Sequence, residues 1–441
     1  MNLSQLKAAF KKQGCQKIYA KTLSPNDNSK NQVYLGGSFD ILNIFPLSEI
    51  IADSSGDWKR DRFKASVDFS WLRDDGNLYP APKAQLVLYP KYPEVRFSGF
   101  LARCEKPPSD LMTIRQAGRI LFLSSTNQGK IIGYVAAHDS ELANEFSHLG
   151  NQEELGVFKI ISVSKQVANN KNELIKELTR IHGLGWIDSK RLDNQGNVLE
   201  CKASNCGGYT LEAELGITPN GYSEPDFLGW EIKQYGVKKF RLLNSSVITL
   251  MTPEPNGGIY KEESVERFLR IYGYEDQRGR EDRINFGGVH RVDEKHKRTE
   301  LTMNLIGFDI ESGKIKNTDG KIALVDESDN VAASWSFSSL LKHWNKKHNQ
   351  ACYIPSLSEK IPKRKYQYGN EILLGIGTDF QLFLGEMTKG NIYYDPGIKM
   401  ESASTKPKIK RRSQFRIKSG NLKNLYKTNE IIKLNEEEKR R

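Results

Sequence analysis

The segment 207–234, GGYTLEAELGITPNGYSEPDFLGWEIKQ, constrains this chain more than any other. Glu231 follows Asp226 after four intervening residues, Lys233 lies two further on, and Glu212 stands fourteen residues before Asp226. Residues 227–233 have the composition of a strand. Side chains alternate across a strand, so Glu231 and Lys233 share one face while Trp230 and Ile232 take the other, toward a core. Asp226 is an odd number of residues from Glu231, which an ideal strand would place on the opposite face. Pro225 and Gly229 allow a bend or bulge that swings Asp226 back. Glu212 falls in a short helical pattern, 211–215, closed by Gly216. From there it can reach the same place.

Carboxylates beside a lysine are what phosphodiester hydrolysis requires. Mg2+ is a hard cation that prefers oxygen ligands and keeps several waters. It polarises a phosphodiester and lowers the pKa of a bound water. A neighbouring lysine orients that water or steadies charge on the phosphate. The same alternation also describes a solvated strand face with cross-strand ion pairs, and spacing alone leaves both readings open.

The string Pro225-Asp226…Glu231-Ile232-Lys233 resembles the PD-(D/E)xK nuclease signature. With Glu212 ahead of it, the segment resembles the MvaI/BcnI restriction endonucleases and, more distantly, the MutH mismatch-repair nickase. The similarity continues in residues 246–252, in Trp335-Ser336-Phe337 with a helix to 347, and in Gln414-Phe415-Arg416-Ile417, covering about residues 170–430. The resemblance implies Asp226 and Glu231 as metal ligands, Glu212 as support or as ligand to a second ion, and Lys233 on the water or phosphate. It implies Mg2+ as cofactor, double-stranded DNA as substrate, and a cognate DNA methyltransferase as genetic partner. In that family an arginine at the position of Arg416 reads bases. A second reading arginine has no clear counterpart here, where Gly397 or Lys399 falls near its place.

A length of 441 residues suggests two domains, and the net charge of +12 suggests a polyanionic partner. No apolar run approaches the roughly 18 residues of a membrane span. The first residues lack a signal-peptide core and read as an amphipathic helix. The five cysteines are odd in number and scattered, and Cys201 and Cys206 have no second pair to complete a zinc site. A reducing cytoplasm fits.

Residues 1–165 read as mainly β, with strands at 17–23, 32–35, 39–45, 64–72, 84–89, 95–101, 119–123 and 130–137, a helix at 140–149 and a strand at 157–163. The pair RILFLSSTNQGKIIGYVAA reads as a hairpin. Short strands at this spacing suggest a small barrel. Lys21, Asn26, Asp27 and Gln32, and then Lys59, Arg60 and Arg62, are side chains that grip phosphates and base edges. They are equally the furniture of ordinary solvated loops. Leu23-Ser24-x-Asn26-Asp27 with Gln32-Val33 is similar to the effector domain of the EcoRII restriction enzyme, a DNA-binding pseudobarrel.

Residues 165–172 read as a linker. A helix with Leu174, Leu178 and Ile181 on one face follows. Residues 186–191 read as a surface loop or a contact to the DNA backbone. The segment 264–274 is amphipathic, 298–333 reads as a meander, and 337–347 as a helix. The glycine- and arginine-rich run 279–291, with Arg283 and His290, reads as a DNA-reading loop, although a lone His290 also suits a structural role. Residues 402–418 contain no acid. Lys408, Lys410, Arg412, Arg416 and Lys418 alternate there with Ile409, Phe415 and Ile417, which reads as a two-stranded ribbon entering a groove. Residues 421–441 read as a charged, fraying helix.

The expected architecture is α/β. A PD-(D/E)xK, MutH-like nuclease domain spans 166–441, and a mainly-β, effector-like pseudobarrel spans 1–165. The expected function is a monomeric, cytoplasmic, Mg2+-dependent restriction endonuclease. The alternatives are a repair nickase needing a partner and a DNA-binding protein with an inactive nuclease fold.

Overall fold

The computed structural model describes residues 1–25, 32–37, 41–42, 44–53, 61–91, 94–126, 128–150, 152–163, 170–203, 205–218 and 226–434. The chain divides into two compact units, Met1–Lys171 and Asn172–Arg441.

The first unit opens with helix Leu3–Lys12. Asn2 caps it by accepting from the Gln5 amide, and Gln5 returns the bond to the Asn2 amide. Leu6 and Phe10 of this helix are buried in a core with Ile18, Phe122 and Ile132. A seven-stranded sheet runs 154–155, 158–162, 17–22, 120–125, 131–136, 69–72, 78–80. A five-stranded sheet runs 32–36, 94–98, 85–89, 62–66, 50–53. Among the described residues no ladder joins the two sheets. The hairpin 120–125/131–136 forms in register Ser125↔Ile131 to Ile120↔Ala136.

The single strand expected over 64–72 is two. Arg62–Ser66 alternates partly buried or exposed residues with buried ones in one sheet, whereas Phe69–Leu72 is buried throughout in the other. The chain changes sheets between them. Of the strand expected over 39–45, residues 41–42 and 44–45 form none, and the remainder lies outside the described residues.

In the second unit, strand Gln350–Glu359 is central. Strand Glu231–Gly236 pairs parallel to it, from Glu231↔Ala351 to Gly236↔Ser356. Lys365–Tyr368 and Glu371–Ile376 pair antiparallel with it. The sheet ends on strand Thr428–Lys433, where a fraying helix was expected. Ile431 and Ile432 there complete a ladder with Glu371–Ile376, and tertiary pairing overrides the charged local sequence. Leu174, Leu178 and Ile181 of helix Asn170–Gly183 pack into one core with Leu211, Trp230, Ile232, Cys352 and Ile354. Helix Val265–Tyr272, the meander 302–306/321–325/331–336 and helix Phe337–His348 follow as the sequence suggests.

The cysteines add a feature on which the sequence reading was silent. Cys201 and Cys206 form a disulfide with Cα atoms 5.8 Å apart. The turn entering helix Cys206–Glu214 brings them together, which their spacing did not reveal. A disulfide is unusual in a reducing compartment.

Candidate active site on strand 231–236

Residues 227–230 form a tight turn. Leu228 (φ 49°) and Gly229 (φ 86°) both have left-handed backbone. The Phe227 amide donates to the Trp230 carbonyl at 3.0 Å, and the Trp230 amide donates back to Phe227 at 2.8 Å. This is the pattern of a two-residue hairpin turn of type I′. The strand expected from Phe227 therefore starts only at Glu231. The turn resolves the parity problem, because Asp226 Oδ2 accepts from the Ile232 amide at 2.9 Å. Pro225 lies outside the described residues.

Trp230 at the end of the turn and Ile232 on the strand enter the core, while Glu231 and Lys233 share the other face. Lys233 Nζ lies 3.0 Å from Glu231 Oε1. Glu231 is 5% exposed, and its Oε2 is buried without a hydrogen-bond partner.

Helix Cys206–Glu214 lies against this strand because Gly207 has no side chain. A Cβ there would come within 2.7 Å of Gln234 Oε1. Tyr368 Oη donates to the Gly207 carbonyl at 2.8 Å, and Thr210 Oγ1 accepts from the Lys190 amide at 3.1 Å. Lys190 Nζ pairs with Glu214 at 2.5 Å, which gives the 186–191 segment a structural partner. At the helix end, the Ile217 amide donates to Glu212 and the Gly216 amide to Ala213, with Gly216 at φ 72°. That is a Schellman stop.

Glu212 thus meets the strand's acidic face. Burial pushes its carboxyl up to about 7, the charges of Asp226 and Glu231 push in the same direction, and Lys233 opposes them. The four residues form one electrostatic cluster. Among the described residues, no group of three or more His, Cys, Asp or Glu side chains is arranged to hold a metal ion. Glu231 Oε2, a buried carboxylate oxygen without a hydrogen-bond partner, is an oxygen donor of the kind a hard divalent cation takes. Such a cation takes one or two carboxylates and fills its shell with water and phosphate.

The two-stranded ribbon expected here is instead split between two sheets: Lys408–Lys410 pairs with Gly397–Glu401, with Lys399↔Lys410 in register, whereas Phe415–Lys418 pairs with Val247–Met251 and Ile392–Tyr394. Strand Arg283–Gly287 joins the first of these sheets on the side of Gly397–Glu401, so Arg283 sits on a strand and not in a loop. Arg283 Nε bonds Asn285 Oδ1 at 2.9 Å, and Lys399 Nζ bonds Glu401 at 2.8 Å. Arg412 is exposed and crosses Gly397, where a Cβ would stand 3.4 Å from its Cδ. Arg416 lies on strand Phe415–Lys418 opposite Thr249 and Tyr393. Its Nη1 is 2.6 Å from Asp395 Oδ2, and its Nε is buried without a partner. Asp395 is a neighbour that sequence reasoning missed.

His290 is corrected from a DNA contact to a core residue. It is fully buried, its ring nitrogens meet the Gly288 carbonyl at 3.0 Å and Thr299 Oγ1 at 2.9 Å, and it stacks on Phe286 and His296. Burial first, then His296, pulls its pKa down to about 3, so it is neutral.

In the first unit, Asn26, Asp27, Lys59 and Arg60 lie outside the described residues. Arg62 is bound to Asp53 at 2.7 Å. Lys21 is only 6% exposed. Lys21 and Gln32 line a cavity of about 680 Å³ together with Tyr34, Arg96 and Lys159. Arg96 and Lys159 come from distant strands, and no local motif marks them.

A strand carrying an acid and a lysine two apart, with an aspartate turned onto it and a glutamate on an adjoining helix, fits the pattern that the PD-(D/E)xK resemblance implied. A model of the MvaI/BcnI restriction endonuclease family matches residues 175–426, more than half of the chain. The chain belongs to the MvaI/BcnI restriction endonuclease family and is a site-specific deoxyribonuclease. Its fold is similar to restriction endonuclease MvaI in complex with cognate DNA (21% identity, TM-score 0.44, 61% of this chain and 98% of that one). It is also similar to MvaI without DNA (20% identity, TM-score 0.34, 62% and 99%). No curated protein matches the chain.

Proposed function

We propose that the chain is a Mg2+-dependent type II restriction endonuclease that hydrolyses duplex DNA as a monomer, one strand at a time. The observation that carries this reading is the unpartnered, buried Glu231 Oε2 beside Lys233, with Asp226 and Glu212 gathered around it. Asp226 and Glu231 would hold the ion, and Glu212 would support it. Bound there, Mg2+ supplies a polarised phosphodiester and a more acidic water. Lys233 orients the attacking water or steadies charge on the phosphate. Water oxygen bonds to phosphorus, the phosphorus–oxygen bond to the leaving nucleotide breaks, and that oxygen takes up a proton.

The exposed cations of the 408–412 segment, Lys408, Lys410, Arg411 and Arg412, would follow the backbone. Arg416 would read a base. The first unit would bind duplex DNA as a second anchor. A cognate methyltransferase would protect the host's own sites. A cytoplasmic setting suits a DNA substrate, with the Cys201 and Cys206 sulfurs shielded from reductant by burial. The deciding experiment is plasmid cleavage with Mg2+ and with chelator, by wild type and by Lys233→Ala. Cleavage in chelator, or an active Lys233→Ala enzyme, would overturn the reading.

A further inference from the structure

Seven non-glycine residues among those described have a left-handed backbone, and Leu228 is the one hydrocarbon side chain in that set. The others are Arg103, Asp282, Asp293, Glu300, Asp329 and Ser402. Leu228 holds the first central position of its two-residue turn, a place that Asn, Asp or Gly fill without strain. With φ at 49°, its Cβ crowds the following carbonyl. Burial does not explain the choice, since Leu228 is 39% exposed.

The turn is also firmly held. Both cross-turn hydrogen bonds are made, Phe227 packs against the core, and Trp230 is 3% exposed. Asp226, two residues before Leu228, bonds across the turn to Ile232, and Glu231 comes three residues after. A strained, exposed, apolar tip is therefore clamped between two of the site's carboxylates. Strain kept in place by its surroundings at such a point is a mark of function.

We propose that Leu228 is a substrate contact, its side chain packing on the deoxyribose next to the phosphate being cleaved. The sugar face is the apolar part of a DNA backbone whose phosphates are charged. A fixed hydrocarbon knob there sets how far the phosphate stands from Asp226 and Glu231. Small errors in that distance are costly to rate. The inference rests on the active site proposed above.

The test uses the full chain, a plasmid that the wild type cuts, and Leu228→Asn, Leu228→Met and Lys233→Ala. Asparagine accepts the left-handed backbone, so Leu228→Asn should melt at a higher temperature than wild type. Its single-turnover cleavage should nevertheless fall by at least about tenfold. Leu228→Met keeps an apolar knob and should cut within about threefold of wild type. Wild-type cleavage by Leu228→Asn overturns the proposal. So does a Leu228→Asn enzyme that loses activity and also melts lower, since that marks a structural role, and so does equal loss in Leu228→Met. Lys233→Ala separates the two levels of argument. If it cuts, the active-site reading itself fails; if it is dead while Leu228→Asn is fully active, only the Leu228 contact fails.

Discussion

Lys233 Nζ stands 3.0 Å from Glu231 Oε1, while the other oxygen of that carboxylate is buried and unpartnered. A buried polar atom left without a partner costs roughly 1–3 kcal/mol, and more when charged. A divalent cation that takes this oxygen as a ligand should stabilise the protein by binding the folded state alone. At free Mg2+ about 100-fold above its dissociation constant, the gain is about 2.7 kcal/mol. Thermal melts with and without Mg2+ should show a rise for wild type and none for Glu231→Gln, and Glu231→Gln should not cut DNA. An equal rise in both proteins would place the ion elsewhere.

Glu212 gives a pH signature. Its carboxyl sits near 7 in the folded chain against an ordinary value of 4.5, mainly through burial and then through Asp226 and Glu231. The folded state thus binds a proton more tightly than the unfolded state. That contribution to stability is full below about pH 4.5 and is lost as pH rises through about 7. Melting curves in chelator should show wild type losing stability relative to Glu212→Gln across that window. Cleavage should run the opposite way: Mg2+ favours the ionised carboxyl, so activity should rise with pH and do so at a lower pH than the stability change seen in chelator. A flat stability difference between pH 4.5 and 7 would mean that Glu212 is not in the cluster.

Arg416 is tied to Asp395 at 2.6 Å in the free protein. To read a guanine it must present two donors to the base edge. Arg416→Ala should lose about 1–3 kcal/mol of discrimination at one base pair. Runoff sequencing of digested plasmid would show relaxed specificity at that position. Uniform weakening across all sequences with a shallower salt slope would instead mark a phosphate contact.

The clustering of Asp226, Glu231 and Lys233 was legible because a short contiguous motif carries it. The parity conflict at Asp226 forced a bend into the sequence reading, and Gly216 announced the end of the Glu212 helix. What the sequence hid is the turn at 227–230, because leucine is a poor signal for a left-handed position. Partnerships across long separations were hidden too. Strand 231–236 pairs parallel with 350–359, Arg416 bonds Asp395, and Thr299 completes the bonding of His290. Local pattern encodes which face is apolar but not which strand lies alongside. The sheet change between Ser66 and Phe69 was hidden for the same reason, since both halves look β. Cys201–Cys206 depended on a turn that no local rule specifies.

The two compact units, Met1–Lys171 and Asn172–Arg441, lead to the last prediction. The second carries Glu212, Asp226, Glu231 and Lys233, the whole proposed active site, once per chain. A monomer with one site breaks one strand at a time, so a double-strand cut takes two nicks with a reorientation between them. An enzyme that lets go after the first nick leaves open circles. A second DNA-binding unit raises the effective concentration of the nuclease beside its site, to about the millimolar range for a short tether. Residues 1–171 alone should therefore bind duplex DNA, through the Lys21 and Gln32 region. The fragment 172–441 should still nick, yet accumulate open circles that the full chain converts to linear DNA. Plasmid time courses for both proteins at matched concentration and low salt would measure this. Equal linearisation by both, with no gel shift by 1–171, would make the first unit a structural or protein-binding module.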